Sequence, residues 1–280
     1  VPPQPSVDEV SIGYNAFSIL KTGADEYGTK LPVLLRAYDD WRPAVYVYMV
    51  IPFISLFGLN EVSIRLPSVI LSVLSVIAVY FLTKHLTKGT NVGIPLIATF
   101  LFAISPMSIY LSRLGHEANA SFSFLLFGIL FFLRFTKGQK WNLVLSGVFF
   151  ALSFNSYQSG KIVVPALLLV FIALYFKKLL KEKTYVLLAA LLSFLIILPV
   201  LLSSFDENAL IRFKGTSLLG NSPAYFEKVF ERSLVDRQRN DLFGLIYDNS
   251  KAAGVLLISN AYLSHLDPVW LFLNKGEEPF

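Results

Sequence analysis

Six apolar runs, each free of Lys, Arg, Asp, Glu and His, occupy the middle of this 280-residue chain. They cover roughly Leu66–Thr83, Val92–Ser112, Asn119–Leu133, Trp141–Ser156, Ile162–Phe176 and Tyr185–Ser204. Runs of this kind suit helices that cross a hydrocarbon core of about 30 Å, the shortest borrowing turns from their flanks. The composition agrees: 55% of the residues are hydrophobic and 15% charged, where a soluble domain carries about 25% charged residues. Mean hydropathy is +0.61. An ordinary cytosolic enzyme and a disordered chain are both excluded, and the expected fold is all-α and membrane-integral.

The net charge of +5 suggests nucleic-acid binding until the bases are located. The loops after the first, third and fifth runs (84–91, 134–140, 177–184) hold nine Lys and Arg residues, whereas those after the second and fourth hold only Arg113 and Lys161. The positive-inside rule makes the first set cytoplasmic, so the sixth run emerges outside.

Ala44–Leu59 is apolar but has 16 residues with Pro52 in its middle. A helix of that length spans about 24 Å, short of the core, which favours a helix lying on the membrane surface over one that crosses. The expected organisation is then a first extracytoplasmic loop, 1–65, with a surface helix at 44–59; a six-span bundle, 66–204; and a large extracytoplasmic loop, 205–280. The chain opens Val1-Pro2-Pro3 without Met and reads as an excerpt with at least one transmembrane helix upstream.

Cysteine is absent, which excludes disulfides, thiol catalysis and cysteine metal sites. The three histidines, His85, His116 and His265, are far apart and match no metal-ligand spacing. Candidate chemistry therefore rests on a few polar clusters outside the apolar runs. Asp8-Glu9 is a carboxylate pair followed by Gly13-Tyr14-Asn15. Paired acids suit general-base or metal-binding work, and equally the start of a helix. In Asp39-Asp40-Trp41-Arg42-Pro43, Pro43 fits the first turn of the surface helix, while Asp40 and Arg42 beside an aromatic could hold an anionic headgroup.

The turn Ser112–Asn119 places Arg113, His116 and Glu117 between two apolar runs, where ionisable groups are costly and tend to be functional. Arg113 suits a phosphate clamp and His116 a donor to it; a plain polar hairpin is the alternative. Lys161 is a second phosphate ligand or a snorkelling lysine. Asn260–Pro268, with Tyr262 and His265, precedes Trp270-Leu271-Phe272 and forms either an aromatic ledge on the membrane or the core of a small subdomain.

Asp8-Glu9 through Gly13-Tyr14-Asn15, Arg42-Pro43, Phe57-Gly58-Leu59-Asn60-Glu61 and Arg65-Leu66-Pro67-Ser68 together resemble the start of multi-pass GT-C glycosyltransferases. The branch concerned contains the protein O-mannosyltransferases and the lipid A aminoarabinose transferases. Ser112-Arg113 with His116-Glu117-Ala118-Asn119 resembles its second outer motif, and Tyr262-Leu263-Ser264-His265 is typical of uncharacterised bacterial members. The resemblance implies a surface helix in the first outer loop and a sugar moved from a polyprenyl-phosphate carrier to an acceptor hydroxyl on the outer face of the cytoplasmic membrane. It implies Asp8, with Glu9 beside it, as the base, and Arg42 near the donor where relatives carry Lys or His. Arg113 and Lys161, with help from Arg42, would neutralise the leaving phosphate, and His116 and Glu117 would lie at the donor. Asp40, Tyr14 and His265 are further candidates. No cofactor is required by this chemistry; a divalent metal at Asp8 and Glu9 is compatible with it. The rival reading is a transporter or flippase, against which the charge-free spans weigh, since transporters place charges or broken helices at mid-membrane.

Overall fold

The computed structural model describes residues 4–37, 40–87, 89, 92–203, 223–239, 241, 244 and 248–264. The chain divides into two compact units, Val1–Asp206 and Glu207–Phe280.

The first unit opens with α1 (Val7–Thr22). Ser6 caps it by accepting from the Glu9 N–H, and the Glu9 carboxylate returns to the Ser6 N–H, a reciprocal pairing that satisfies two of the helix's free amides. Gly23, with φ of 74°, ends the helix in the left-handed conformation that glycine adopts without penalty. Ile12, Ala16 and Ile19 form its buried stripe. A tight turn at Asp25, whose Oδ1 accepts from Tyr27 and Thr29 N–H, leads to an antiparallel hairpin of β1 (Leu34–Ala37) and β2 (Asp40–Pro43).

That hairpin corrects the expectation that Pro43 opens a helix. Arg42 pairs with Leu35 and Trp41 with Arg36 in extended backbone, and Pro43 ends the strand, a position where its missing N–H costs no ladder bond. The apolar helix, α2 (Val45–Phe57), starts after Ala44. Its 13 residues reach about 20 Å. Tyr46, Val47, Val50 and Ile54 are buried, and Leu56 and Phe57 are exposed.

Helix α3 (Glu61–Leu86) is capped by Asn60, whose Oδ1 accepts from Ser63 N–H. At 26 residues it is about 39 Å long, and it includes Arg65, which the apolar run beginning at Leu66 leaves outside. The second run is not one straight helix. It breaks into α4 (Gly93–Ile104) and α5 (Pro106–Arg113), bent by 56°. Pro106 forces the preceding Ser105 out of the helical region, to φ −58° and ψ 127°.

The remaining helices are α6 (Glu117–Thr136), α7 (Trp141–Ser156), α8 (Gly160–Lys181) and α9 (Lys183–Ser203). Helices α3, α6, α8 and α9 are each long and apolar enough to cross a membrane, and α4 with α5 makes a fifth if the bent pair is one span. Helix α7 has 16 residues and packs against α6 and α9. Leu169, Leu174 and Leu187 are each about 70% exposed, a placement that water disfavours and lipid accepts. Small and hydroxyl residues bring α6 and α7 close together: Ser146 Oγ donates to Gly128 O, and Ser153 Oγ to Ser121 O. Phe132 stacks on Phe171 at 4.1 Å in the adjoining core. This is an all-α multi-pass membrane protein with one two-stranded hairpin added.

The described part of the second unit holds α10 (Pro223–Arg239) and α11 (Ser250–Ser264), which pack on each other. Tyr262 lies on α11; His265 and the Trp270–Phe272 ledge lie outside the described residues.

Candidate active site

The ends of α1, β2, α3, α5 and α6 meet around Asp8 and Glu9, and these two neighbours take different partners. Glu9 is 1% exposed. Its Oε1 accepts from Arg65 Nε at 2.6 Å and from the Gly115 N–H at 2.9 Å; its Oε2 accepts from Arg65 Nη2 at 3.0 Å and from Ser6 N–H at 2.9 Å. Burial alone would raise its pKa. The hydrogen bonds from Arg65, Gly115 and Ser6 outweigh that and hold it down at about 2. With four donors on two oxygens, Glu9 has no free lone pair for a proton or a metal. It pins α1 to α3 and to the α5–α6 turn. Arg65 also reaches Glu61 Oε2 at 3.2 Å.

Asp8, by contrast, is half-exposed. Its Oδ1 accepts from Arg42 Nη2 at 2.5 Å, and its Oδ2 lies 3.7 Å from His116 Nε2. His116 caps α6, its Nδ1 accepting from the Ala118 N–H at 3.0 Å. That bond leaves the proton of the neutral ring on Nε2, aimed at Asp8. The Tyr157 ring meets His116 edge-on, 6.0 Å between centroids, so the Tyr157–Lys161 turn also borders the cluster.

Two buried polar groups here lack partners. Arg42 is 7% exposed, yet its Nε and Nη1 make no hydrogen bond. Glu117, also buried, has an unbonded Oε2, 3.8 Å from His116 Nδ1. A buried charged donor without an acceptor costs on the order of 1–3 kcal/mol or more, and an anion seated against Arg42 would relieve that cost.

The structure thus brings together Asp8, Glu9, Arg42, His116 and Glu117. Arg113 is exposed at the end of α5, Tyr14 is exposed on α1, and Lys161 is half-buried in the first turn of α8. Asp40 pairs through its backbone with Ala37. Among the described residues no group of three or more His, Asp or Glu side chains gathers to hold a metal, and Asp8 and Glu9 point to separate partners. Arg65 and Gly115 are the site residues that sequence reasoning missed. Gly115 is required by close approach: a Cβ there would lie 2.9 Å from Ile64 O. The Ser6-x-x-Glu9 capping pattern was the available signal for the role of Glu9.

A family model described as dolichyl-phosphate-mannose-protein mannosyltransferase matches residues 41–202, more than half of the chain. The chain belongs to this family. Comparison with curated proteins and with solved structures finds no match. Membership makes the chain a membrane glycosyltransferase and answers the choice between transferase and transporter. The matched span contains Arg42, Arg65, His116 and Glu117. Asp8 and Glu9 precede it and are tied to it by the Arg42 and Arg65 ion pairs.

Proposed function

We propose that this glycosyltransferase takes a hexose or pentose from a polyprenyl-phosphate donor and passes it to an acceptor hydroxyl on the extracytoplasmic face of the cytoplasmic membrane. The observation that carries this reading is Arg42, buried with two nitrogens unbonded beside a half-exposed carboxylate. The guanidinium offers the leaving phosphate a charged, desolvated ligand. Arg113 and Lys161 border the same end of the bundle and add positive charge.

In this reading the acceptor oxygen attacks the anomeric carbon as its proton passes to Asp8. The bond from that carbon to the phosphate oxygen breaks, and the electron pair leaves with polyprenyl phosphate, which Arg42 neutralises. One in-line displacement inverts the sugar carbon. His116 Nε2–H steadies the Asp8 carboxylate, and the unbonded Glu117 Oε2 is an acceptor for a sugar hydroxyl.

The test is release of polyprenyl phosphate from a polyprenyl-phosphate-linked sugar by the full-length protein. Asp8→Asn lowers the turnover number by roughly 10²–10⁴-fold in a protein that still folds, because the amide oxygen still accepts from Arg42. Arg42→Gln raises KM for the donor, and Arg42→Lys does not restore it, because a lysine lacks the planar fork. Full activity in Asp8→Asn overturns the assignment of the base.

A further inference from the structure

At the far end of α3 and α6, away from Asp8, lies a cavity of about 440 Å³. Phe81 and Leu130 form its apolar wall; Lys84, His85, Arg134 and Lys137 form its polar one. No carboxylate pairs with Lys84, Arg134 or Lys137 among the described residues. Arg134 lies over Phe81, 5.3 Å from the ring centre, and over Phe131 at 5.8 Å, which fixes its guanidinium against an apolar surface.

Two ordinary reasons for bases at this place can be weighed. Cations often serve the carbonyls at helix C-termini, but these carbonyls already have donors. The Thr87 N–H bonds Thr83 O, the Gly89 N–H bonds Lys84 O, the Lys137 N–H bonds Arg134 O, the Gly138 N–H bonds Phe135 O, and Lys178 Nζ reaches Thr136 O. The charge bias of the loops explains bases on this side, but not their convergence on one concave, half-apolar site. The depth also fits a headgroup. The cavity closes the ends of two spanning helices, and Trp141, just past Lys140, packs edge-on against Tyr185 at 5.4 Å, the aromatic pairing expected at a membrane interface.

We infer that this cavity is a binding site for an anionic phospholipid of the adjoining leaflet, the phosphate held by Lys84, Arg134 and Lys137 and the first acyl carbons resting on Phe81 and Leu130. A basic recess between helix ends with an apolar floor matches both halves of such a molecule; a free phosphate would use only one.

The experiment measures binding, so it stands apart from the transfer reaction. Purified full-length protein in neutral detergent is titrated with phosphatidylglycerol, phosphatidylcholine or inorganic phosphate, and followed by thermal shift and native mass spectrometry. Phosphatidylglycerol raises the melting temperature and remains bound, while phosphatidylcholine and phosphate do neither. Lys84→Gln, Arg134→Gln and Lys137→Gln together abolish the shift. Lys137→Gln alone, at an exposed position, weakens binding about fivefold and keeps the test decisive if the triple variant does not fold. Equal shifts from the two lipids, an unchanged affinity in Lys137→Gln, or a full shift from inorganic phosphate alone would each overturn the proposal.

Discussion

Glu9 and Arg65 stand 56 residues apart in the chain and share a two-point ion pair, Nε to Oε1 at 2.6 Å and Nη2 to Oε2 at 3.0 Å. Both side chains are under a tenth exposed. Removing one charge strands the other away from water, at a cost of about 3–5 kcal/mol. Glu9→Gln and Arg65→Met should therefore each lower the melting temperature sharply, and the double variant should lose less than the sum of the two. A thermal double-mutant cycle on the purified protein checks this. Additive losses would remove the pair from the account of how the site is held.

The same carboxylate sets an acid limit. Its pKa lies near 2 in the folded chain, below the ordinary 4.5, so the folded state binds this proton less readily than the unfolded one. Its stabilisation, on the order of 3 kcal/mol, is complete above about pH 5 and is lost as pH falls from about 4.5 towards 2. Melting temperature measured from pH 6 to pH 3 should fall in the native protein. The slope should be shallower in Glu9→Gln, which has no proton to take up.

Gly115 makes room for α3. A Cβ at this position meets Ile64 O at 2.9 Å and Ile64 Cγ2 at 2.8 Å. The backbone oxygen cannot swing aside as a side chain can, so the turn shifts and takes the Gly115 N–H away from Glu9. Gly115→Ala should cost about 1–3 kcal/mol and reduce transfer as well as stability. Gly138→Ala, with no neighbour within 4 Å of its Cβ, is the control for placement; its φ of 102° confines the effect to local backbone strain.

Membrane sidedness can be read directly, because the chain has no cysteine. Single cysteines at Thr22, exposed at the C-terminus of α1, and at Arg113, exposed at the end of α5, should react with an impermeant maleimide on intact cells. A cysteine at Gln139, exposed at the opposite end, should react only after lysis. Gly115 is unsuited to this probe because a side chain there meets Ile64.

The spanning helices were legible because a membrane span is a local property: apolar length without charge is visible in any window. Windows of that kind also stop at the first charge, which is why Arg65 fell outside the first run. It sits inside α3 because Glu9 cancels its charge, and that partner lies 56 residues away. The hairpin escaped notice for a similar reason. Its strands have four residues each, too few to show alternation, and Pro43 suits a strand end as well as a helix start. The adjacency of Asp8 and Glu9 suggested one shared task. The capping pattern from Ser6 separates them, since it turns Glu9 back on its own helix and leaves Asp8 at the surface.

Gly115 donates to a carboxylate made 106 residues before it, and this bears on the order in which the molecule is completed during synthesis. Helix α1 leaves the ribosome before the long-range partners of Glu9, which arrive only with the start of α3 and then with the turn that follows α5. Until that turn is placed, Glu9 lacks one of its four donors. The segment that carries Asp8 is translated well before the α5–α6 turn that completes its anchorage.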